Sequence, residues 1–497
     1  MKSSESRRRG AGTVGIDKVG RETPTRGGHR GSRSTEGKVG GVTGSHQGGS
    51  RTRIRASIAV AWIAILYWGE IHSHRIAQDG CQWPEMNGGR RVMVVADPQL
   101  VDEYTYKQLG NGSYALAFTE AVCDAYVKRA FRTAVRKFQP QVFLFLGDLF
   151  GQGARSDDSV WHRLRRRVDA ALYWPRDNGA SRYLNVAGNH DVGYSEVIRH
   201  YPGILARFEK WYGTSNFVER IGGVDFVGVN AMVLDGRGSA AEDTWAFIDG
   251  LARNKGERSV PRVLLTHLPL PNPLQKCGPH RNSAVIAGRR LGGPREIMYQ
   301  DYLSEETTRR LLETVEPELI LSGHDHDQCE VRHVYTADGG NAEVNEITVG
   351  TFSALNGNVD PSFLMLSIGD DSGRESAELI QHKLCFLPSI RKVAKVYRNA
   401  GVFCILFLLG LPIGELITTM KSSDDSGNAL VRARYGLYSR RFECASFCTL
   451  TDENLLLCRR VLVGVFDLIV LLIFIACGFI LLLARDSMIL QQLLGRE

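Results

Sequence analysis

VFLFLGDLFG (142–151) and YLNVAGNHD (183–191) are the stretches on which the reading of this chain turns. Each opens as a mostly apolar run and breaks at a glycine. A side chain able to bind a metal follows at once: Asp148 in the first, Asn189 with His190 behind it in the second. A short apolar run bounded by such a break is the pattern of a strand buried on both faces. The pattern recurs three more times. VMVVA (92–96) ends in Asp97, VLLT (263–266) in His267, and ELILSG (318–323) in His324, with His326 two residues on. In open α/β sheets, ligand sites lie beyond the carboxyl ends of the strands, so five such ends point to one site.

Outward from these stretches the alternation continues. Strand-like runs stand at 182–187, 224–229, 262–266, 346–350 and 363–368. Helical patterns lie between several of them, notably AFTEAVCDAYVKRAFRTAVRKF (117–138) and EETTRRLLETV (305–315). Strands alternating with helices predict an α/β layered fold.

The candidate ligands Asp97, Asp148, Asn189, His267, His324 and His326 are carboxylate, amide and imidazole with no thiolate, a set that favours Mn, Fe or Zn. One carboxylate can bridge two ions, and two ions clamp the attacking and leaving oxygens of a phosphoryl displacement. Taken singly, each residue has an ordinary reading, since Asp after a strand is usually a turn residue or helix cap. The ordered set, each member at a strand end, is what carries the inference.

The chain has 497 residues and a net charge of +7. Thirteen Lys/Arg against four Asp/Glu fall in the first 55 residues, leaving 48 against 50 in the rest. The basic excess therefore belongs to a Gly-, Ser- and Arg-rich tail and does not argue for a nucleic-acid-binding core. Residues 1–53 are predicted to be a disordered cytosolic tail. An apolar segment at 54–71 reads as a signal anchor, and 400–420 and 461–484 as two further membrane helices. The last two carry Pro412, Glu415 and Asp467. Residues 421–460 form a basic loop and 485–497 a short tail. Basic segments remain cytosolic, which places the 72–399 domain in the lumen. The ten cysteines show no CxxC spacing, and Cys444 and Cys448 are the closest pair. Cys81, Cys123, Cys277, Cys329 and Cys385 allow one disulfide in a lumenal domain, with its pairing open. Trp161, Trp174, Trp211 and Trp245 read as packing residues.

The set ADPQ, GD, GNHD, LLTHLPL and GHDH resembles the calcineurin-like metallophosphoesterases. The longer stretches KCGPHRNS, MYQDYLSEETTRRLLE, SGHDHDQCEV and TVGTFSALNGNVDPSF resemble the membrane-anchored branch linked to GPI-anchor remodelling, with plant and fungal members. The likeness covers about residues 90–385. It implies a β-sandwich flanked by helices and a dinuclear centre, often manganese, on a multi-pass protein of the endoplasmic reticulum or Golgi. Position by position it implies one ion held by Asp97, Gln99, Asp148 and His326. The other would be held by Asp148, Asn189, His267 and His324, with His190 beside the phosphate.

Two positions depart from the wider pattern. Gln99 stands where the family has His, and an amide oxygen is the weaker donor. Gly151 stands where an Asp usually orients the residue equivalent to His190, so either another group, Asp191 for instance, takes that part or His190 is less well held. His280 is a further candidate for contacting the substrate phosphate or head group, and Asn356 and Asn358 are candidates for lining the pocket. The implied activity is a phosphodiesterase removing ethanolamine phosphate from a GPI-anchored substrate at the bilayer. The rivals are a phosphoesterase for a nucleotide, lipid head group or phosphoprotein, and a non-catalytic membrane adaptor that retains the fold.

Overall fold

The computed structural model describes residues 45–86, 89–173, 182–253, 260–337, 340–370, 379–425 and 452–486. The chain divides into Met1–Thr52 and Arg53–Glu497, and the second unit holds everything discussed below. Most of the expected tail, the centre of the 421–460 loop, Trp174, Cys444 and Cys448 lie outside the described residues. Residues 45–52 are helical, within the tail that composition alone marks as disordered.

Thirteen strands are described: β1 (Arg90–Val95), β2 (Val142–Phe145), β3 (Arg182–Asn185), β4 (Phe217–Ile221), β5 (Val224–Gly228), β6 (Arg262–Leu265), β7 (Arg290–Gly293), β8 (Glu296–Gln300), β9 (Leu319–Ser322), β10 (Cys329–Ala337), β11 (Gly340–Thr348), β12 (Ser362–Ile368) and β13 (Ile380–Phe386). One sheet runs β13-β12-β1-β2-β3 and the other β10-β11-β9-β6-β5-β4, with β7 and β8 forming a separate hairpin. The site-bearing strands are parallel neighbours: β1 with β2 and β2 with β3 in one sheet, β6 with β9 in the other.

The period of two sorts the side chains of each strand between two cores. Val92, Val94, Val142, Leu144 and Leu184 face Phe226, Val263, Leu265, Leu319 and Leu321 between the sheets. Met93, Val95, Phe143 and Phe145 turn the other way and join the helical layer, where Phe131 of the Tyr114–Phe138 helix sits 5.3 Å from Phe143. Leu264 and Ile320 do the same on the second sheet, with Ile248, Leu311 and Leu312. Both faces of the central strands are buried, which is why their sequences read as unbroken apolar runs. The strands that sequence reading passes over are half-exposed or lie at edges. β10, for example, alternates buried and open positions and carries Glu330, Arg332 and His333.

Two disulfides close the domain, Cys81–Cys385 and Cys277–Cys329, one more than the sequence suggests; Cys123 is buried and free. Trp161 is fully buried and Trp245 is partly buried under Arg310 at 3.9 Å, so these two pack as expected, whereas Trp211 is 44% exposed and meets Arg165 at 3.9 Å on the surface.

By length and composition, one described helical segment, Arg53–Ala77, can cross a membrane. It is longer than the expected 54–71, and Glu70 lies in a π-turn (Trp68–His72) within it. Leu468–Leu483 is a shorter apolar stretch inside the Asp452–Asp486 helix. The expected 400–420 segment lies in the Ile390–Asp425 helix. The three helices share a small core of Trp62, Leu408 and Leu471. Arg129, buried on the Tyr114–Phe138 helix, binds their ends to the domain. Its Nε donates to Asp486 Oδ2 at 2.7 Å, one Nη to the Leu482 carbonyl at 2.7 Å, and the other to Glu70, which also accepts from Tyr397 at 2.8 Å.

Candidate metal centre

The carboxyl ends of β1, β2, β3, β6 and β9 deliver the expected residues to one place. The backbone there is unusual. Asp97 (φ 49°), Gln99 (φ 33°), Asp148 (φ 54°), His324 (φ 70°) and His326 (φ 68°) all adopt the left-handed region. Each costs about 1 kcal/mol or more, and such strain collects at functional sites. The two glycines of GD and GNHD allow the close approach. A Cβ on Gly147 would lie 2.5 Å from His267 Nδ1, and one on Gly188 would lie 2.2 Å from Asp148 Oδ1.

Two triads emerge, Asp148 with His267 and His324, and Asp97 with Asp148 and His326. Within each, the ligand atoms lie within 4.8 Å of one another, and Asp148 belongs to both. Asn189 Oδ1 completes the first, 3.0 Å from His267 Nε2 and 2.9 Å from His324 Nδ1. Donors about 2.1 Å from one ion and at right angles to each other would be about 3 Å apart. Asp97 Oδ1 is buried with no hydrogen-bond partner, an arrangement that a cation would satisfy. The donor set and this orphaned oxygen fit a pair of divalent ions.

The imidazoles are held from behind, as ligands need to be. His267 Nδ1 meets the Leu146 carbonyl at 2.7 Å and His326 Nδ1 the Asn356 carbonyl at 3.3 Å, which turns both Nε2 atoms inward. Asn356 also donates to the Asp97 carbonyl at 3.1 Å, and Asn358 to the His326 carbonyl at 2.8 Å. These two asparagines thus brace the ligands from the far side of the loop. Gln99 reaches the cluster with its amide nitrogen inward, donating to Asp148 Oδ2 at 2.7 Å and lying 3.1 Å from His326 Nε2. Half a turn of the amide presents Oε1 at the same point.

Burial opposes ionisation of Asp148, but the charges of His267 and His190 outweigh it and hold the carboxyl far below the usual range. Burial likewise opposes the charge on His267, yet Asp148 pushes its pKa up to about 9. Burial, with Asp148 adding to it, raises Asp97 well above the ordinary carboxylate value despite His267. His324 and His326 are lowered chiefly by burial, His326 to about 4.

His190 stands beside the cluster, with its backbone amide donating to Asp148 Oδ1 at 2.8 Å and its Nε2 3.9 Å from Oδ2. The expectation that Asp191 orients its ring is corrected. His190 Nδ1 donates instead to the Gly151 carbonyl, and Gln152 Nε2 lies 2.9 Å from the same ring nitrogen. A main-chain oxygen thus meets the ring at the very position where the family's Asp is missing. Asp191 is turned away and accepts from three backbone amides: Asp148 at 2.8 Å, Gly188 at 3.0 Å and Phe150 at 3.2 Å. It staples the GD loop to the GNHD loop.

Sequence reasoning also passes over the strap at 277–283. Arg281, almost fully buried, grips Asp325 between the two site histidines at 2.8 and 2.7 Å. The amides of Asn282 and Ser283 donate to Asp327 at 2.8 and 2.7 Å, and Cys277–Cys329 closes the strap. The one available signal was KCGPHRNS itself. His280, by contrast, lines a different cavity beside Cys81–Cys385, its ring 5.6 Å from Phe386.

The calcineurin-like phosphoesterase family profile matches residues 90–328. Metallophosphoesterase 1 of Mus musculus is 30% identical over 372 residues, covering 71% of this chain and 88% of that protein. Cell division control protein 1 of Saccharomyces cerevisiae is 28% identical over 367 residues, covering 70% of this chain and 72% of that one. The chain is a metal-dependent phosphoesterase, a hydrolase. It belongs to the calcineurin-like phosphoesterase family, whose members use a dinuclear metal centre.

Proposed function

We propose that this chain is a dinuclear phosphodiesterase held at a membrane. One ion would be held by Asp97, Gln99, Asp148 and His326, and the other by Asp148, Asn189, His267 and His324. The observation that carries this reading is Asp148, a single carboxylate common to both ligand triads. Bound there, two divalent ions, manganese by resemblance and otherwise Fe or Zn, supply Lewis acidity and acidify water. The residues do the rest. Asp148 brings negative charge to the centre, and Asp97 would add to it once a bound cation displaced its proton. The bond from Nδ1 to the Gly151 carbonyl leaves His190 Nε2 facing the site, where in its protonated form it gives a proton to the leaving alkoxide.

The substrate we propose is the ethanolamine phosphate of a GPI-anchor glycan, in the endoplasmic reticulum or Golgi, with the bilayer as the second partner. The branch-specific stretches support this reading, and the relative named metallophosphoesterase 1 supports its phosphoesterase part. A three-span topology is supported by Arg129. The helix ends that it gathers are the C-terminal end of the first helix, the N-terminal start of the second and the C-terminal end of the third. A chain crossing three times brings that set of ends to one side. Metal analysis of the purified chain, paired with a Mn-supported assay on a soluble phosphodiester and on a GPI glycan, tests the proposal. Two ions per chain and turnover of both substrates are expected. Absence of bound metal would make it an adaptor, and turnover of the soluble ester alone would remove the GPI assignment.

A further inference from the structure

A cavity of ≈ 410 Å³ lies where the last turns of the Arg53–Ala77 segment meet the start of the Ile390–Asp425 helix. Its walls are largely apolar, with Trp68 and Ile76 on one side and Phe386 and Val393 on the other. Its polar end is the N-terminus of the long helix. The first amides of a helix have no carbonyl within it to bond, and they attract anions. Ser389, which precedes the first helical residue, is 5% exposed, lines the cavity and leaves its hydroxyl without a partner. Its backbone carbonyl accepts from Lys392 and Val393, both at 3.1 Å, but the side chain caps nothing.

Charge points the same way. Arg391, Lys392, Lys395 and Arg398 are all exposed on the first turns of this helix. Lys395 and Arg398 have no carboxylate partner among the described residues, and Lys392 pairs only with the half-buried Asp360 at 3.0 Å. An ion pair this open to solvent is weak and readily exchanged. The helix that starts at the cavity also touches the loop beside the metal centre. Arg391 donates to the Gly357 carbonyl at 3.3 Å, and on the same loop Asn358 holds the His326 carbonyl.

We propose that this cavity seats one anionic phospholipid of the surrounding bilayer. Its phosphate sits on Ser389, the helix N-terminus and Lys392, and the upper part of a chain lies along Trp68, Ile76 and Val393. The inference rests on the reading above that Arg53–Ala77 spans a membrane, because that places the cavity at the level of lipid head groups. An apolar groove ending in Lys392 with its partner Asp360, the unpartnered Ser389 hydroxyl and a helix N-terminus matches a lipid, whereas free phosphate would leave the apolar walls empty.

The test uses the full chain, delipidated in detergent and incubated with micelles doped with phosphatidylglycerol or with phosphatidylcholine, and native mass spectrometry to count retained lipid. Wild type is expected to keep one phosphatidylglycerol and to prefer it over phosphatidylcholine. Lys392→Glu should weaken retention about tenfold or more, since each juxtamembrane cation is worth several-fold and this variant reverses one. Ile76→Glu, at a half-exposed position, should weaken it from the chain end. Equal retention by wild type and both variants overturns the proposal. So does displacement of the lipid by millimolar inorganic phosphate alone, which would make the site one for the free anion. Alkaline extraction of membranes and the soluble-phosphodiester assay on the same wild-type protein keep the readings apart. Membrane-embedded, active chain that retains no lipid sinks this inference alone, and lipid retained by inactive chain sinks only the catalytic reading.

Discussion

Asp191→Ala separates two roles for the most buried carboxylate of the GNHD loop. In the structure Asp191 accepts three main-chain hydrogen bonds, from Asp148, Gly188 and Phe150, and is fully buried. Alanine leaves three buried N–H groups unsatisfied, each costing about 1–2 kcal/mol, for a total of about 3–6 kcal/mol. At about 2 °C per kcal/mol for a domain this large, the melting temperature should fall by about 6–12 °C. Asp191→Asn keeps one oxygen. Placed where Oδ2 now lies, it retains the bonds from Asp148 and Gly188 and sets an NH₂ against the Phe150 amide, so about half the loss is expected. Both variants should also need about tenfold more metal for half-maximal activity, because the staple holds Asp148 and Asn189 in register and supporting partners of this kind carry that much affinity. Thermal melts of the full chain in detergent, with and without Mn, measure both quantities. Had Asp191 oriented His190 as the sequence suggests, Asp191→Ala would lower kcat and leave melting and metal dependence alone. That outcome would refute the staple.

Other consequences follow from the same geometry. Asp148→Asn should abolish turnover and strip both ions while leaving the melt of the metal-free protein within a few degrees, and an active, folded Asp148→Asn protein would refute the shared-carboxylate centre. Gln99→His should tighten metal binding, and Gln99→Ala should raise the metal concentration required for activity, since imidazole is the better donor. An unchanged metal titration for both would show that Gln99 acts only as a donor to Asp148. Asn111, in an exposed turn just before the Tyr114–Phe138 helix, should carry a glycan in the lumen. The glycosidase-induced mobility shift should vanish in Asn111→Gln, and digestion of residues 72–399 by protease added to intact microsomes would place the domain in the cytosol.

What the sequence determined by itself was the set of elements whose burial is complete. β1, β2, β6 and β9 lie between two apolar layers, so apart from Arg90, Arg91, Arg262 and Ser322 at their ends their residues are apolar and the run announces the strand. Asp97, Asp148, His267 and His324 interrupt those runs at the point where the chain leaves the sheet, so the residue type and its position were legible together. The Tyr114–Phe138 and Glu305–Val315 helices were legible for a related reason, because one face of each is apolar at helical spacing. Edge strands such as β10 and β13 mix exposed charges with buried positions and leave no run to read. Partnerships between distant residues were not legible either. That Cys81 pairs with Cys385 across 304 residues, that Gly151 offers its carbonyl to His190 in place of a carboxylate, and that Arg129 gathers Glu70, Leu482 and Asp486 are facts of proximity. Residue types limit such contacts without choosing among them. The choice is made when the two sheets close on their common core and bring the loops at their ends within bonding distance, so the tertiary structure alone decided which group holds which.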